Sequence, residues 1–321
     1  ASNVAEIDTY EQLRELDNES NHLHSDALNI IASVFQTTSD KIVDISVLKK
    51  GMTNRSFLFK VNDTKYIMRI PGEGTNQLIN RAHEAEVFKV IKGRDLCDDP
   101  VYINPDNGYK ITQFLDGVRS CDCNSLADIK RCMEKLRRFH NMKLSVSHTF
   151  DIVAQIEFYE SLWEEKPSIY KDYRQTKAHV MSLQSFIDSL HKDWCLTHID
   201  AVPDNFLFYQ TGDGESLQLT DWEYAGMQDP HVDIAMFSVY SLYSKSQVDQ
   251  VIDIYFMDNC DKLTRAKIYA YIAMCGLLWS NWCEFKRHLG VEFGKYSLYQ
   301  YRFAKEYYRH AMNELEGVVG K

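Results

Sequence analysis

The sequence predicts an α+β protein of two lobes, a small antiparallel β-rich lobe with one helix followed by a larger, mainly helical lobe. Three observations predict it. Between Ile42 and Leu115, short runs of β-branched and aromatic residues alternate with turn signals. Beyond about residue 117, apolar residues recur at helical spacing over long segments. One stretch, Trp194 to Asp233, interrupts the helical half with a loop, a strand, the turn Gly212-Asp213-Gly214 and a second strand. The 321 residues suffice for two compact units with a sizeable core.

Taken in order, residues 1 to about 24 are polar and acidic, and form an N-terminal extension with at most one short helix around Tyr10, Leu13 and Leu16. The first lobe is expected over residues 25–116. It opens with a turn or two of helix, Leu28 to Phe35. Strands follow at Ile42–Leu48, Phe57–Val61 and Tyr66–Ile70, with Gly51-Met-Thr-Asn and Asn62-Asp-Thr as the turns. Asn76–Lys92 has apolar residues at helical spacing, and Val101–Ile103 and Tyr109–Leu115 are the last two strands. The order βββαββ ends at a hinge around Phe114 to Gly117. The second lobe, residues 117–321, predicts helices at Ser125–Met142, Ala154–Glu165, Tyr170–His191, His231–Tyr243, Lys245–Phe256, Thr264–Leu289 and Leu298–Leu315. The acidic loops of the central stretch are expected where the lobes meet. There is no low-complexity linker and no internal repeat.

A formal net charge of −10 argues against broad attraction to nucleic acid or anionic membranes. A polyanion must then be held by a local basic or metal-filled site, and a cationic substrate is favoured over an acidic one. Eight cysteines in a chain this long make no disulfide framework. Cys121 and Cys123 lack a partner pair at zinc spacing, so reduced thiols and a cytoplasmic setting are expected. No apolar run approaches the ~20 residues that span a bilayer, and no basic-then-apolar signal opens the sequence. The sequons at Asn18, Asn54 and Asn62 read as chance without such a signal.

Two clusters carry the chemistry: His198-Ile-Asp200-Ala-Val-Pro-Asp-Asn205, and Leu219-Thr-Asp221-Trp-Glu-Tyr224. A loop presenting Asp200 and Asn205, facing a strand end that presents Asp221, gathers hard oxygen ligands and a base in one small volume. Magnesium-assisted phosphoryl transfer needs such a volume. The bland alternative is an Asp/Asn-rich turn capping a helix. No GxxxxGK[ST] occurs, which removes the P-loop reading.

The pattern H-x-D-x-x-x-x-N, then a hairpin, then D-W-E-Y, resembles the choline/ethanolamine kinase family, more narrowly its bacterial LicA-type members. These belong to the protein-kinase-like superfamily that includes the aminoglycoside phosphotransferases. The resemblance spans about residues 28 to 310 and implies a protein-kinase-like fold. It implies Asp200 as catalytic base, and Asn205 and Asp221 as Mg²⁺ ligands; His198 would be structural. Arg69 in YIMRIPG stands where protein kinases carry Lys, and its fork can hold a phosphate. Glu84 is its expected ion-pair partner, with Glu86 on the opposite face. Gly51, Thr53, Asn54 and Ser56 form the turn whose backbone and hydroxyls would approach ATP phosphates, although alone GMTNRS is an ordinary hairpin turn. Gln113, Phe114 and Leu115 would offer backbone groups and an apolar wall to adenine.

A quaternary ammonium cannot be hydrogen-bonded and is recognised by aromatic faces and negative potential. Trp279 and Trp282 share one helix face; with Tyr224 they could wall such a cage, while in isolation a WxxW is more often core. Glu223 adds negative potential or braces the loop. Asp233 would brace the catalytic loop. Tyr240 stands where family members often have a Glu, and is either a further wall or a sign of another amine. The expected activity is ATP- and Mg²⁺-dependent phosphorylation of the choline hydroxyl. Alternatives are ethanolamine or another amino alcohol as acceptor, an aminoglycoside phosphotransferase, and a choline-binding module without turnover.

Overall fold

A computed structural model describes residues 26–48, 54–72, 79–97, 99–164, 166–212 and 214–319. The expected N-terminal extension and the turn residues Gly51 and Thr53 lie outside them. The chain divides into two compact units. One ends at Val118 and takes in Tyr209–Gln218; the other comprises Arg119–Phe208 and Leu219 onward.

The first unit begins with helix α1 (Asp26–Val34) and continues with strands β1 (Val43–Val47), β2 (Asn54–Val61) and β3 (Thr64–Pro71). After helix α2 (Arg81–Ile91) come β4 (Tyr102–Ile103) and β5 (Lys110–Gln113). The five strands form one antiparallel sheet in the order β1-β2-β3-β5-β4. Its alternation follows from the sequence: Phe59, Val61, Met68 and Ile111 are buried, and Leu28 and Ile31 of α1 complete that core. Rings of Phe35, Phe59 and Tyr66 pack on one another at 4.6–6.0 Å between centroids. β1 carries an irregularity between Val43 and Ser46, where Asp44 has φ 53°.

Helix α2 starts at Arg81; residues 76–78 of the expected helix lie outside the described residues. The Asn80 side chain accepts the amides of Ala82 and His83 at 3.1 and 3.2 Å, an N-cap that fixes the first turn. β5 stops at Gln113, two residues short of expectation, although the Phe114 N–H still donates to the Lys65 carbonyl at 2.9 Å.

The second unit contains β6 (Arg119–Ser120), α3 (Leu126–Asn141), α4 (Ile152–Ser161), α5 (Tyr173–Ser189) and β7 (Cys195–Thr197). The hairpin of β8 (Phe206–Thr211) and β9 (Gly214–Leu219) has only its two ends in this unit, its part Tyr209–Gln218 belonging to the first; after it come β10 (Gly226–Gln228), α6 (His231–Tyr240), α7 (Lys245–Phe256), α8 (Lys262–His288) and α9 (Lys295–Val319). α6 ends three residues before Tyr243, where Leu242 takes φ 54° and breaks the helical path. α4 starts two residues before Ala154, because Asp151 caps the Ala154 amide at 3.0 Å.

Helix α8 is the axis of this unit. Its middle turns, Ile268 to Leu278, are buried on every side, and α4, α5, α6 and α9 pack around it. A helix apolar all round is one that other helices must cover. Gly276 makes the closest crossing possible: a Cβ there would stand 2.8 Å from the Ala304 nitrogen and the Gln300 carbonyl, and 2.9 Å from the Phe303 Cβ.

Candidate active site

Strand β7 delivers His198 into a loop, and its antiparallel partner β10 follows directly on the Asp221–Tyr224 segment. The pairing Thr197↔Gly226 therefore sets the two acidic segments side by side. Direct bonds join them. The Thr220 N–H donates to the Asn205 carbonyl at 2.8 Å, and His198 Nε2 lies 2.9 Å from the Thr220 carbonyl oxygen. A carbonyl only accepts, so Nε2 carries the hydrogen. His198 is fully buried; desolvation pushes its pKa down to about 4, and it stays a neutral brace.

Asp233, in the first turn of α6, fixes the loop backbone. Its carboxylate accepts the amides of His198 and Ile199 at 3.0 and 2.7 Å, and His140 Nε2 approaches it at 2.8 Å. It is 0% exposed, which is tolerable only because its oxygens are spoken for. The bonds hold Ile199 at φ 70°, a conformation costly for a β-branched residue. Asp221 sits at φ 65° in the neighbouring segment.

Downstream, a 3₁₀ turn (Pro203–Asn205) brings Asn205 back onto Asp200: its amide nitrogen donates to the Asp200 carbonyl at 2.8 Å and to Oδ2 at 3.1 Å. That spends the Asn205 nitrogen and leaves its carbonyl oxygen as a ligand. Asp221 makes no hydrogen bond or ion pair among the described residues. Desolvation, then the Asp221 charge, pushes Asp200 up to about 8. Two crowded carboxylates, one unpartnered, with an amide oxygen alongside, are a donor set suited to Mg²⁺, which takes one or two carboxylates and completes its shell with phosphate and water. No cluster of three or more His, Cys, Asp or Glu that could hold a metal ion occurs among the described residues.

Trp222 is the anchor of its segment rather than a wall: it is fully buried, donates Nε1–H to the Leu219 carbonyl at 2.8 Å, and stands edge-on to His198 and Phe139. Glu223 is buried, and half-buried Tyr224 is hydrogen-bonded to Tyr159 of α4. Tyr224's hydroxyl is pushed well above its ordinary value by burial and the Tyr159, Glu223 and Asp200 charges, so it stays protonated.

Trp279 and Trp282 stand perpendicular at 5.6 Å. Trp279 is half-buried and gives its Nε1–H to the Met236 sulfur at 3.1 Å; Trp282 is 4% exposed and continues into Phe293 at 4.9 Å. Phe293 contacts Tyr296 at 6.4 Å, and Tyr296 contacts Tyr240 at 6.0 Å. Tyr240 donates its hydroxyl hydrogen to Asp204 Oδ2 at 2.5 Å. Tyr159, Asp204, Phe293 and Tyr296 are thus neighbours of the expected residues that the motifs alone did not single out. The one available signal was the aromatic spacing in Phe293-Gly-Lys-Tyr296.

In the first unit, Arg69 of β3 meets Glu84 of α2 at 2.6 Å, with Arg81 at 3.3 Å and Lys110 at 3.4 Å from the same carboxylate. Glu84 is 1% exposed. Burial would raise its pKa, but Lys110, Arg69 and Arg81 together outweigh burial and hold it at about 2. Gly108, at φ 71°, comes so close to Arg81 that a Cβ would overlap its side chain at 2.5 Å, and its carbonyl accepts from Arg69 at 3.3 Å. Register places Ser56 opposite Arg69, so both side chains rise from one sheet face, and Asn54 opposite Pro71. Gln113 is exposed and Leu115 half-buried, whereas the Phe114 amide is already committed to Lys65.

Residues 45–274 match the family model described as choline/ethanolamine kinase. The chain belongs to the choline/ethanolamine kinase family. It is accordingly a small-molecule kinase, a phosphotransferase acting on an alcohol group. Among relatives, protein LicA of Haemophilus influenzae is 27% identical over 266 residues, covering 77% of this chain and 75% of that one. The crystal structure of the choline kinase LicA from Streptococcus pneumoniae superposes with a TM-score of 0.73 at 26% identity, covering 88% of this chain and 97% of that chain. A LicA structure in complex with AMP gives 0.71 at 27% identity, covering 90% and 100%. An aminoglycoside phosphotransferase shares the kinase-like fold at a TM-score of 0.61 and 13% identity. Within the described residues, no helix is long and apolar enough to cross a membrane.

Proposed function

We propose that this kinase transfers the γ-phosphoryl group of ATP to the hydroxyl of choline. The observation that carries the reading is Asp200, clamped by Asn205 and crowded by an unpartnered Asp221, in the same unit as the aromatic run from Trp279 to Tyr240. Asp200 would accept the substrate hydroxyl proton as the oxygen attacks phosphorus. Its Oδ2 is held by Asn205, which orients the carboxylate toward one direction of approach. Asn205 and Asp221 would hold Mg²⁺, whose charge offsets that of the transferring phosphate. Arg69, oriented by Glu84, is assigned to the nucleotide phosphates with Asn54 and Ser56, and the turn at Gly51 and Thr53 joins them in this reading. The backbone of Gln113 and Leu115 is assigned to adenine. Trp279, Trp282, Tyr224 and Tyr240, with Glu223 behind, are assigned to the ammonium group. Positioning and charge neutralisation supply most of the acceleration in such a reaction.

The test is ADP release measured with choline, ethanolamine, their N-methylated intermediates and an aminoglycoside as acceptors. Choline should give the highest kcat/KM. A higher value for ethanolamine would move the assignment to that alcohol, and kanamycin-dependent turnover would move it to the antibiotic kinases. Choline binding without ADP release would reduce the protein to a binding module.

A further inference from the structure

The aromatic run does not end on a ring. It passes from Trp279 through Trp282, Phe293 and Tyr296 to Tyr240, and the Tyr240 hydroxyl is bonded to a carboxylate of the catalytic loop itself. That carboxylate, Asp204, lies four residues after Asp200 and immediately before Asn205 in the 3₁₀ turn. The backbone of the turn is fixed: the Asn205 amide donates to Val202, and the Val202 amide to Asp200. Pro203 within it is buried. Asp204 therefore projects from a rigid base, and the Tyr240 bond restrains its side chain. Only Oδ2 takes that bond, while Asp204 itself is exposed. Asp204 is exposed and Tyr240 only half-buried, so water could satisfy the carboxylate without this bond. Their pairing makes sense as the placing of a negative charge at the end of a run of contacting rings.

We propose that Asp204 is a specificity-determining residue that supplies the negative potential selecting a permanently cationic alcohol, and that Tyr240 is the positioning residue that aims it. The inference rests on the reading that this site takes an amino alcohol. Rings supply a face to any alkyl group, charged or not, whereas a carboxylate distinguishes N⁺ from its carbon isostere. In this arrangement Asp200 handles the hydroxyl end and Asp204 the ammonium end, and one turn of chain sets the distance between them.

The experiment compares choline with its neutral isostere 3,3-dimethylbutan-1-ol on the wild type and on Asp204→Asn, Asp204→Glu and Tyr240→Phe. Asp204→Asn should raise KM for choline about tenfold while leaving KM for the isostere and for ATP within about twofold, a charge effect of the size expected at a partly exposed site. Tyr240→Phe should shift it the same way by about threefold, and Asp204→Glu should recover most of the loss. Choline binding, read without nucleotide by quenching of tryptophan fluorescence, should follow the same order. Equal loss for both alcohols, or no change in choline KM and binding, overturns the proposal. If choline binds with Asp204-dependent affinity but is not phosphorylated, this inference stands and the reaction assigned above falls. If choline neither binds nor reacts, both fall.

Discussion

The carboxylate of Asp233 holds the amide of Ile199 at 2.7 Å while Ile199 sits at φ 70°. A strained residue in the loop just before the candidate base is thus fixed by a buried acid from the following helix. Asp233→Asn replaces one acceptor oxygen with an NH₂ that faces amide donors. It should cost about 3 kcal/mol in chemical denaturation and reduce kcat at least a hundredfold, because the loop relaxes out of its strained conformation. A variant with wild-type kcat would show that the loop holds its shape without this acid.

Asp200→Asn separates stability from activity. Burial and the Asp221 charge disfavour the ionised Asp200, so its removal should leave turnover below one part in a thousand while raising the unfolding free energy by up to about 5 kcal/mol at pH 7.5 in metal-free buffer. Denaturant titration beside an ADP-release assay reads both. Retained choline-dependent turnover would contradict the mechanism.

The same groups give a stability profile with a maximum. His198 and His231 are lowered to about 4, chiefly by desolvation; the unfolded chain binds their protons below about pH 6.5, so stability falls as pH drops from there toward 4. Asp200, raised to about 8, has the opposite sign: the folded state keeps its proton, and stability falls as pH rises from about 4 to 8. Each group contributes a slope of about 1.4 kcal/mol per pH unit within its window. Two histidines against one aspartate leave a net rise up to about pH 6.5 and a decline beyond it. Urea melts in EDTA should peak there, and Asp200→Asn should convert the decline into a plateau. Glu84, held at about 2, stays ionised throughout this range.

In the first unit, Glu84→Gln removes the carboxylate on which Arg69, Arg81 and Lys110 converge. Loss of that buried carboxylate should cost about 3–5 kcal/mol. Arg69→Lys keeps the charge but loses the fork, and should raise KM for ATP about tenfold with KM for choline unchanged. Thermal melts and initial rates distinguish the two.

Much of this was readable from the residues. The antiparallel meander of the first three strands, the Arg69–Glu84 pair and the bracing roles of Asp233 and His198 followed from local pattern and resemblance. Element ends moved where side-chain caps override periodicity, as Asn80 and Asp151 show. The unread part is long-range. His140 reaches Asp233 across 93 residues and Trp279 reaches Met236 across 43, and no spacing rule records such approaches. Asp204 was hidden for a different reason: beside Asn205 it looks like one more polar turn residue until Tyr240 is seen to grip it.

The contact of α8 with α9 at Gly276 bears on how such an enzyme changes its diet. Trp279 and Trp282 ride on one of these helices and Tyr296 on the other, and at Gly276 the two backbones touch with no room for a methyl group. Neither helix can slide to widen or narrow the space lined by those rings without losing that fit. Under the proposed assignment of those rings to the acceptor, a new acceptor is accommodated one side chain at a time, and mutational drift in substrate preference should be stepwise rather than continuous.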